Sequence, residues 1–423
     1  MPDNLFSMHC QRSLPFYINN AELILSDHNA VHTRSPGFSL LSLALGGFGL
    51  GTGEFVIMGL LPDVAHSLNI TEPQAGNAIA SYALGVVVGA PIIAVLTARM
   101  NRKILLIALM FIFFIGNLAT ALAGNYPTLV AARFIAGLPH GAYFGIASLV
   151  AASLVPADKR GKAISLVMLG LTVATLAGVP LAAWLGQFFS WHIAFAFVGA
   201  IGLSTCLMIT MLVPATANRS DAHPMKELTA LKNSQVLMTL LTGAVGFGGM
   251  FAIFTYIIPT LKNLAALQDN LVPWVMAAFG LGMIVGNLVG GRLADHNPLK
   301  VIGGALVWNT LIMVLFPFLA GHVFTGLLAT FLVGTSSVLL PSIQIRLMDV
   351  AKEAQTLAAA MNHSALNIAN AMGAYLGGVA ITMGFGWIST AYVGIALGLS
   401  GILVYVMTAT HASQWVLSAE NKR

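Results

Sequence analysis

The chain has 423 residues, of which 57% are apolar and only 8% are charged, and its net charge at pH 7 is +5. Because a soluble domain carries about 25% charged residues, this composition argues against a water-soluble fold. The basic residues are dispersed among short loops, which argues against nucleic-acid binding. Apolar runs of about 20 residues recur along the chain, and such runs predict helices that cross a bilayer.

The first segment, residues 1–37, is polar and lacks the pattern of a signal peptide, so we predict a mobile cytoplasmic tail. Twelve apolar spans follow it in chain order. They lie at approximately 38–61, 74–98, 104–123, 127–153, 162–186, 191–213, 236–261, 272–294, 300–320, 323–345, 357–382 and 387–410. We therefore predict an all-α integral membrane protein with twelve transmembrane helices.

The distribution of basic residues sets the orientation of these spans. With the N-terminus inside, all of the 19 lysines and arginines except Lys262 and Arg133 fall on the cytoplasmic side. Cytoplasmic loops are enriched in such residues. We therefore expect both termini to be cytoplasmic, in a multi-pass protein of a cell inner membrane.

The sequence repeats weakly at a constant offset. A shift of 197 residues places Gly85 over Gly282 and Gly137 over Gly334. This predicts two six-helix halves, 38–213 and 236–410, joined by a cytoplasmic linker at 214–235 and followed by a cytoplasmic tail at 411–423. The alternative is that the matches reflect shared membrane composition. Six-helix parallel repeats are one plan of secondary transporters, which bind substrate at the interface between the repeats.

Several motifs carry a resemblance to a known family. The segments "ALGGFGLGTGEFVIMGLLP", "YALGVVVGAPIIA", "RFIAGLPHGAYFG" and "NIANAMGAYLGG" resemble the major facilitator superfamily, and within it the drug:proton antiporter branch of twelve helices. The arabinose-induced efflux permeases are the most similar group. The resemblance implies two parallel halves around a central cavity and transport by alternating access.

Two further motifs match the family incompletely. In the loop after the second span, Arg99 and Arg102 remain while the family's glycines and acid are replaced; Asp295 lies at the related position of the second half. The resemblance implies a cytoplasmic gate, but the arginines could equally anchor the membrane boundary. Gly170, Gly178 and Pro180 resemble an antiporter motif, although a packing and bending role explains them as well.

Two charged residues lie well inside the spans. A central charge in a bilayer costs about 2.5–3.5 kcal/mol, so such residues normally face a partner or a cavity. Glu54 and Arg133 both lie roughly 10 Å below the outer ends of their spans, given a rise of about 1.5 Å per residue, so they could meet. His140 lies on the same helix face as Arg133. Proton coupling by these residues is one interpretation, and a fixed ion pair with a packed histidine is the other.

Weaker candidates for the substrate cavity form a second set. His363, Asn367 and Asn370 share one polar face of the eleventh span, where they either bind substrate or bond across helices. Tyr82, Tyr143, Tyr256 and Asn287 are cavity candidates whose alternative is packing.

The chain lacks a nucleotide-binding loop, hydrolase motifs and metal-ligand spacing, so we expect no enzyme, no cofactor and no metal site. We predict a monomeric, proton-coupled exporter of a small molecule, either a sugar-like metabolite or an amphipathic drug, with protons and membrane lipid as its other partners. The alternatives are an uncoupled facilitator or importer, and a receptor that has lost transport.

Overall fold

A computed structural model describes residues 36–97, 99–156, 159–214, 233–294, 296–351 and 355–420. The described residues form helices and connecting turns, without a strand. They contain 12 helices that are long and apolar enough to cross a membrane. The predicted tail at 1–37 and linker at 214–235 fall largely outside the described residues.

The twelve spans are numbered α1 to α12 in chain order. Their bounds are α1 Pro36–Gly59, α2 Glu72–Leu96, α3 Arg102–Ala121, α4 Tyr126–Gly137 with His140–Ser153, α5 Arg160–Val173 with Ala174–Gly178 and Val179–Phe188, α6 Trp191–Leu212, α7 Ser234–Gly246 with Gly248–Thr255, α8 Val272–Ala294, α9 Pro298–Leu319, α10 Val323–Thr335 with Ser336–Val338 and Leu339–Ala351, α11 Gln355–Ala380 with Ile381–Phe385, and α12 Ser389–Glu420. Most predicted boundaries agree within a few residues, but α10 runs on past 345 and α12 continues past 410 to Glu420.

Several spans are interrupted near their middle. In α4 the break falls at Leu138 and Pro139, because proline lacks the N–H that a continuous helix requires. In α5 a π-helical turn covers Ala174–Gly178, just before Pro180. The packing and bending interpretation of this motif fits the structure, because both glycines lie against α1. A Cβ on Gly170 would lie 2.1 Å from the carbonyl oxygen of Ala44, and a Cβ on Gly178 would lie 2.2 Å from Oγ1 of Thr52.

The internal repeat is visible in the packing of the glycines. A Cβ on Gly137 would lie 2.1 Å from the carbonyl oxygen of Tyr82, so α4 and α2 touch through their backbones. A Cβ on Gly334 would lie 2.3 Å from the carbonyl oxygen of Phe279, in α10 and α8. Each member of the second pair lies 197 residues after its counterpart in the first. Shared composition does not reproduce such paired contacts, so the repeat is structural.

The side of the molecule predicted to face outward is closed by contacts between the halves. Phe55 of α1 packs against Phe251 and Phe254 of α7 and Phe279 of α8, with ring centroids 6.2–6.4 Å apart. Phe254 and Phe279 stack with centroids 3.4 Å apart. These four rings form a continuous apolar seal, which we call the aromatic seal.

Charged residues lie beyond this seal, on two short helices at Leu61–Ser67 and Ile257–Ala265 that are predicted to face outward. Lys262 is the lysine that falls on the predicted outer side, and its Nζ is 2.5 Å from Oδ1 of Asp269. The lysine therefore has an acidic partner. Burial raises the pKa of the Asp63 carboxyl above its ordinary value. The negative charge of Asp269 raises this pKa further, and the positive charge of Lys262 lowers it in part. The contacts on this side therefore bring the two halves together around a carboxyl whose pKa is raised.

We expect Gly137→Ala and Gly334→Ala to destabilise the protein to a similar extent. Each new methyl would press on a backbone oxygen of the neighbouring helix, and overpacking of this kind costs about 1–3 kcal/mol. Thermal unfolding in detergent measures the effect. Gly145→Ala is the matched control, because a Cβ at that position of α4 meets nothing within 4 Å. Equal stability of all three variants would contradict the packing role of the paired glycines.

We expect Asp63→Asn to raise the thermal unfolding temperature at neutral pH. A carboxyl with a raised pKa in the folded state contributes stability below its ordinary pKa of 3.8 and loses it as the pH rises through the folded value. The asparagine cannot ionise, so its advantage should disappear as the pH falls toward the acid range. Asp349→Asn is the control, because it makes the same chemical change at an exposed position near the end of α10. A gain for Asp63→Asn that is independent of pH would rule out this origin.

Candidate functional site

Glu54 lies on α1 just below the aromatic seal and is only 6% exposed. Its Oε1 accepts a hydrogen bond of 3.2 Å from Nδ2 of Asn370 on α11. Because α1 and α11 belong to different halves, this bond joins the halves through a carboxyl group. A buried carboxyl in a transmembrane segment is costly, and a polar partner reduces that cost.

Arg133 lies on α4 and is completely buried. Its Nη1 donates a 2.9 Å hydrogen bond to the carbonyl oxygen of Gly53 on α1, so α1 and α4 meet at the depth that the sequence predicts. The meeting does not form the expected ion pair. Among the described residues no carboxylate oxygen lies within 4.0 Å of Arg133, because the Glu54 side chain turns toward α11 instead.

Aromatic rings take the place of a counter-ion for Arg133. Its guanidinium carbon lies 4.3 Å from the ring centroid of Tyr82 and 5.4 Å from that of Phe195. Cation–π contacts of this kind are worth about 2 kcal/mol when they are desolvated. Nε and Nη2 of Arg133 have no hydrogen-bond partner among the described residues, so their N–H groups are available to donate to another acceptor.

His140 lies beside Glu54, seven residues along α4 from Arg133. Its Nε2 is 3.8 Å from Oε2 of Glu54, beyond hydrogen-bond range but reachable by a small displacement. Its Nδ1 is 2.9 Å from the hydroxyl oxygen of Tyr82. The face of α4 that the sequence predicts to carry Arg133 and His140 therefore reaches both α1 and α2.

The polar face of α11 lies against the first half. His363 stacks on Phe144 of α4, with ring centroids 5.1 Å apart and planes 6° apart, and its centroid is 6.0 Å from that of His140. Asn367 donates to the carbonyl oxygen of His363 on its own helix, whereas Asn370 bonds to Glu54. Bonding across helices therefore holds for Asn370 and not for Asn367.

The remaining cavity candidates are dispersed. The hydroxyl of Tyr143 donates to the carbonyl oxygen of Leu43, and that of Tyr256 donates to the carbonyl oxygen of Ala374, so both hydroxyls serve packing. Asn287 on α8 is partly buried, and no hydrogen bond joins it to Glu54 or His140 within the described part of the chain.

The predicted cytoplasmic gate stays a prediction. Arg99 is exposed on the turn after α2, and Arg102 begins α3. Asp295, the third residue of the predicted gate, lies outside the described residues.

Sequence reasoning missed the aromatic partners of the site. The sequence indicated Tyr82 only as a weaker cavity candidate. It did not predict the stacking of Phe144 on His363 or the aromatic seal. The repeat contained a signal: Phe279 is the counterpart of Tyr82, and Phe251 is the counterpart of Glu54. The second half thus puts aromatic rings where the first half has polar groups.

This arrangement is chemically able to exchange a proton. A carboxyl group, an imidazole, a guanidinium and a carboxamide lie together where the two halves meet. No group of three or more metal-ligating side chains occurs among the described residues.

Known relatives support a transport protein. The chain is 38% identical to the inner membrane transport protein YdhP of Escherichia coli K12 over 87% of this chain and 95% of the relative. It is 34% identical to the chloramphenicol resistance protein of Streptomyces lividans, over 87% and 93% of the two chains.

Comparison with a solved structure and with a family model supports the fold. A bacterial homologue of the human lysosomal transporter Spinster, solved in an inward-facing and unoccupied conformation, superimposes with a TM-score of 0.67 at 15% identity, covering 89% of this chain and 95% of that one. The family model of the Major Facilitator Superfamily matches residues 43–270 and 263–422. Both the fold and the family predicted from the motifs are confirmed, and the chain belongs to the major facilitator superfamily of membrane transporters.

Proposed function

We propose that this protein exports a small molecule across the inner membrane in exchange for protons, with both termini in the cytoplasm. The observation that carries the proposal is the buried carboxyl of Glu54, which is bonded across the two halves to Asn370 and lies 3.8 Å from His140. Proton entry supplies about 2.3 kcal/mol per charge for each 100 mV of membrane potential.

In this mechanism the carboxyl changes partners as the halves rock. With the outer side closed, Glu54 bonds to Asn370, and Arg133 bonds to the backbone of Gly53. Opening of the outer side parts α1 from α11 and frees the carboxyl to take a proton from outside. After the halves rock back, Glu54 releases that proton inward, and the unpaired N–H groups of Arg133 stabilise the carboxylate.

The surroundings of the site favour an amphipathic drug over a sugar. The amide nitrogens of Asn367 and Asn370 already donate to protein oxygens, while their Oδ1 atoms have no partner among the described residues, and His363 is stacked on Phe144. A sugar needs many free hydrogen-bonding groups, whereas flat rings and apolar walls suit a ligand with an aromatic part. The relative named as a chloramphenicol resistance protein makes that compound a suitable first probe.

We expect Glu54→Gln to abolish acid-driven export of chloramphenicol, because glutamine keeps the shape of the side chain but cannot exchange a proton. The measurement is efflux of labelled chloramphenicol from preloaded proteoliposomes after acidification outside, with arabinose as the parallel sugar probe. Acid-driven efflux should fall at least about tenfold, the change that 1.4 kcal/mol produces.

Glu72→Gln is the matched control for this experiment, since it makes the same chemical change at the start of α2. It should transport like the wild type. Full acid-driven efflux by Glu54→Gln would overturn the assignment of the proton carrier, and export of arabinose alone would overturn the choice of substrate class.

We expect Asn370→Leu to favour opening of the outer side. An interhelical hydrogen bond in a membrane is worth about 0.6 kcal/mol, so its loss should shift the equilibrium about threefold. A cysteine at Met276, which is 1% exposed and faces Gly59 across the halves, reports this opening through its rate of maleimide labelling, in a background without Cys10 and Cys206.

Asn367→Leu is the control, because its amide bonds only within α11. An increase in labelling that is as large for Asn367→Leu as for Asn370→Leu would show that the bond to Glu54 does not hold the outer side closed.

A further inference from the structure

Tyr82 contacts two of the ionisable groups of the site at once. Its hydroxyl oxygen is 2.9 Å from Nδ1 of His140, and its ring lies under Arg133 at 4.3 Å. The side chain is completely buried on α2. Tyr82 therefore links Arg133 to His140, and His140 in turn faces Glu54.

The backbone explains how one side chain reaches both groups. The carbonyl of Tyr82 lies against Gly137 of α4, where any larger residue would clash. Arg133 precedes Gly137 by one turn and His140 follows it by nearly one turn, so all three share one face of α4. A side chain that leaves α2 at this contact lies between the two groups.

The repeat indicates that the hydroxyl is not needed for packing. Phe279 occupies the related position of α8 and makes the same backbone contact with Gly334. In that half, Thr330 and Ser337 replace Arg133 and His140. The hydroxyl group is thus present in the half that contains the ionisable groups, and absent in the half that uses the same scaffold without them.

The two nitrogens of His140 have different partners. Nδ1 faces the hydroxyl of Tyr82, and Nε2 faces Glu54. The ring of His363, on α11, has its centroid 6.0 Å from that of His140. If Tyr82 accepts a hydrogen bond from Nδ1–H, the lone pair of Nε2 points toward Glu54. A proton can then pass from the neutral carboxyl to Nε2, which leaves a carboxylate and an imidazolium without any further reactant.

We infer that Tyr82 is a positioning residue of the proton exchange, whose hydroxyl fixes the ring orientation and tautomer of His140 while its ring holds Arg133 against α1. The inference rests on the proposed function, since it assigns a role within that proton exchange.

The test observes His140 directly by ¹⁵N NMR of the full-length protein, labelled at histidine and held in lipid nanodiscs. His140→Gln identifies the His140 signals by their loss. In the wild type we expect one neutral tautomer, protonated at Nδ1. In Tyr82→Phe we expect this single pattern to be lost and both tautomers to appear, with a changed pH profile of acid-driven chloramphenicol efflux.

Tyr143→Phe is the matched control for the NMR signal. It also removes one buried hydroxyl near His140, but that hydroxyl bonds to the carbonyl oxygen of Leu43. It should leave the tautomer of His140 unchanged. If Tyr82→Phe fails to fold, the wild-type spectrum still decides, because both tautomers in the wild type would overturn the inference.

An unchanged His140 spectrum in folded Tyr82→Phe would also overturn the inference. This failure is distinct from failure of the proposed function, which is read from efflux by Glu54→Gln. In the His140→Gln background, Tyr82→Phe should cause no further change in the pH profile of efflux. A further change there would show that Tyr82 acts through another group, and would overturn the role assigned to it.

Discussion

The cost of placing charge inside a membrane governs the arrangement around Glu54. The carboxyl and Arg133 are both almost fully withdrawn from solvent, yet they do not neutralise each other directly. Each has weaker partners instead: a carboxamide for Glu54, and a backbone carbonyl and two rings for Arg133. A direct buried ion pair would be hard to break, whereas these weaker contacts can be exchanged at little cost when the helices move.

The repeat provides the rigid frame for this exchange. Close contacts at Gly137 and Gly334 fix α4 on α2 and α10 on α8 in the same way. The halves then diverge in chemistry. One has Glu54 and Tyr82, and the other has Phe251 and Phe279 at the related positions, where they build the aromatic seal. A symmetric scaffold therefore carries an asymmetric site: Glu54, Arg133 and His140 belong to the first half, whereas the second half contributes Phe251 and Phe279 to the aromatic seal.

Much of the fold followed from the sequence, because span length and hydropathy are local properties. The apolar runs placed the helices within a few residues at most ends. The depth of Arg133 could also be predicted, since rise per residue is constant along a helix. The π-helical turn of α5 could not be located in this way, because small residues near a proline permit a bend without fixing its position.

The sequence by itself determined which groups are exceptional: one deep carboxyl, one deep guanidinium, and a histidine on the same face of α4. Only the tertiary structure decided their partners. Glu54 has α4 and α11 within reach, and the hydrogen bond to Asn370 spans 316 residues of chain, a separation over which no periodicity carries information. Side-chain direction at a helix interface depends on the crossing of helices from both halves, and that crossing is set by the packing of the whole molecule.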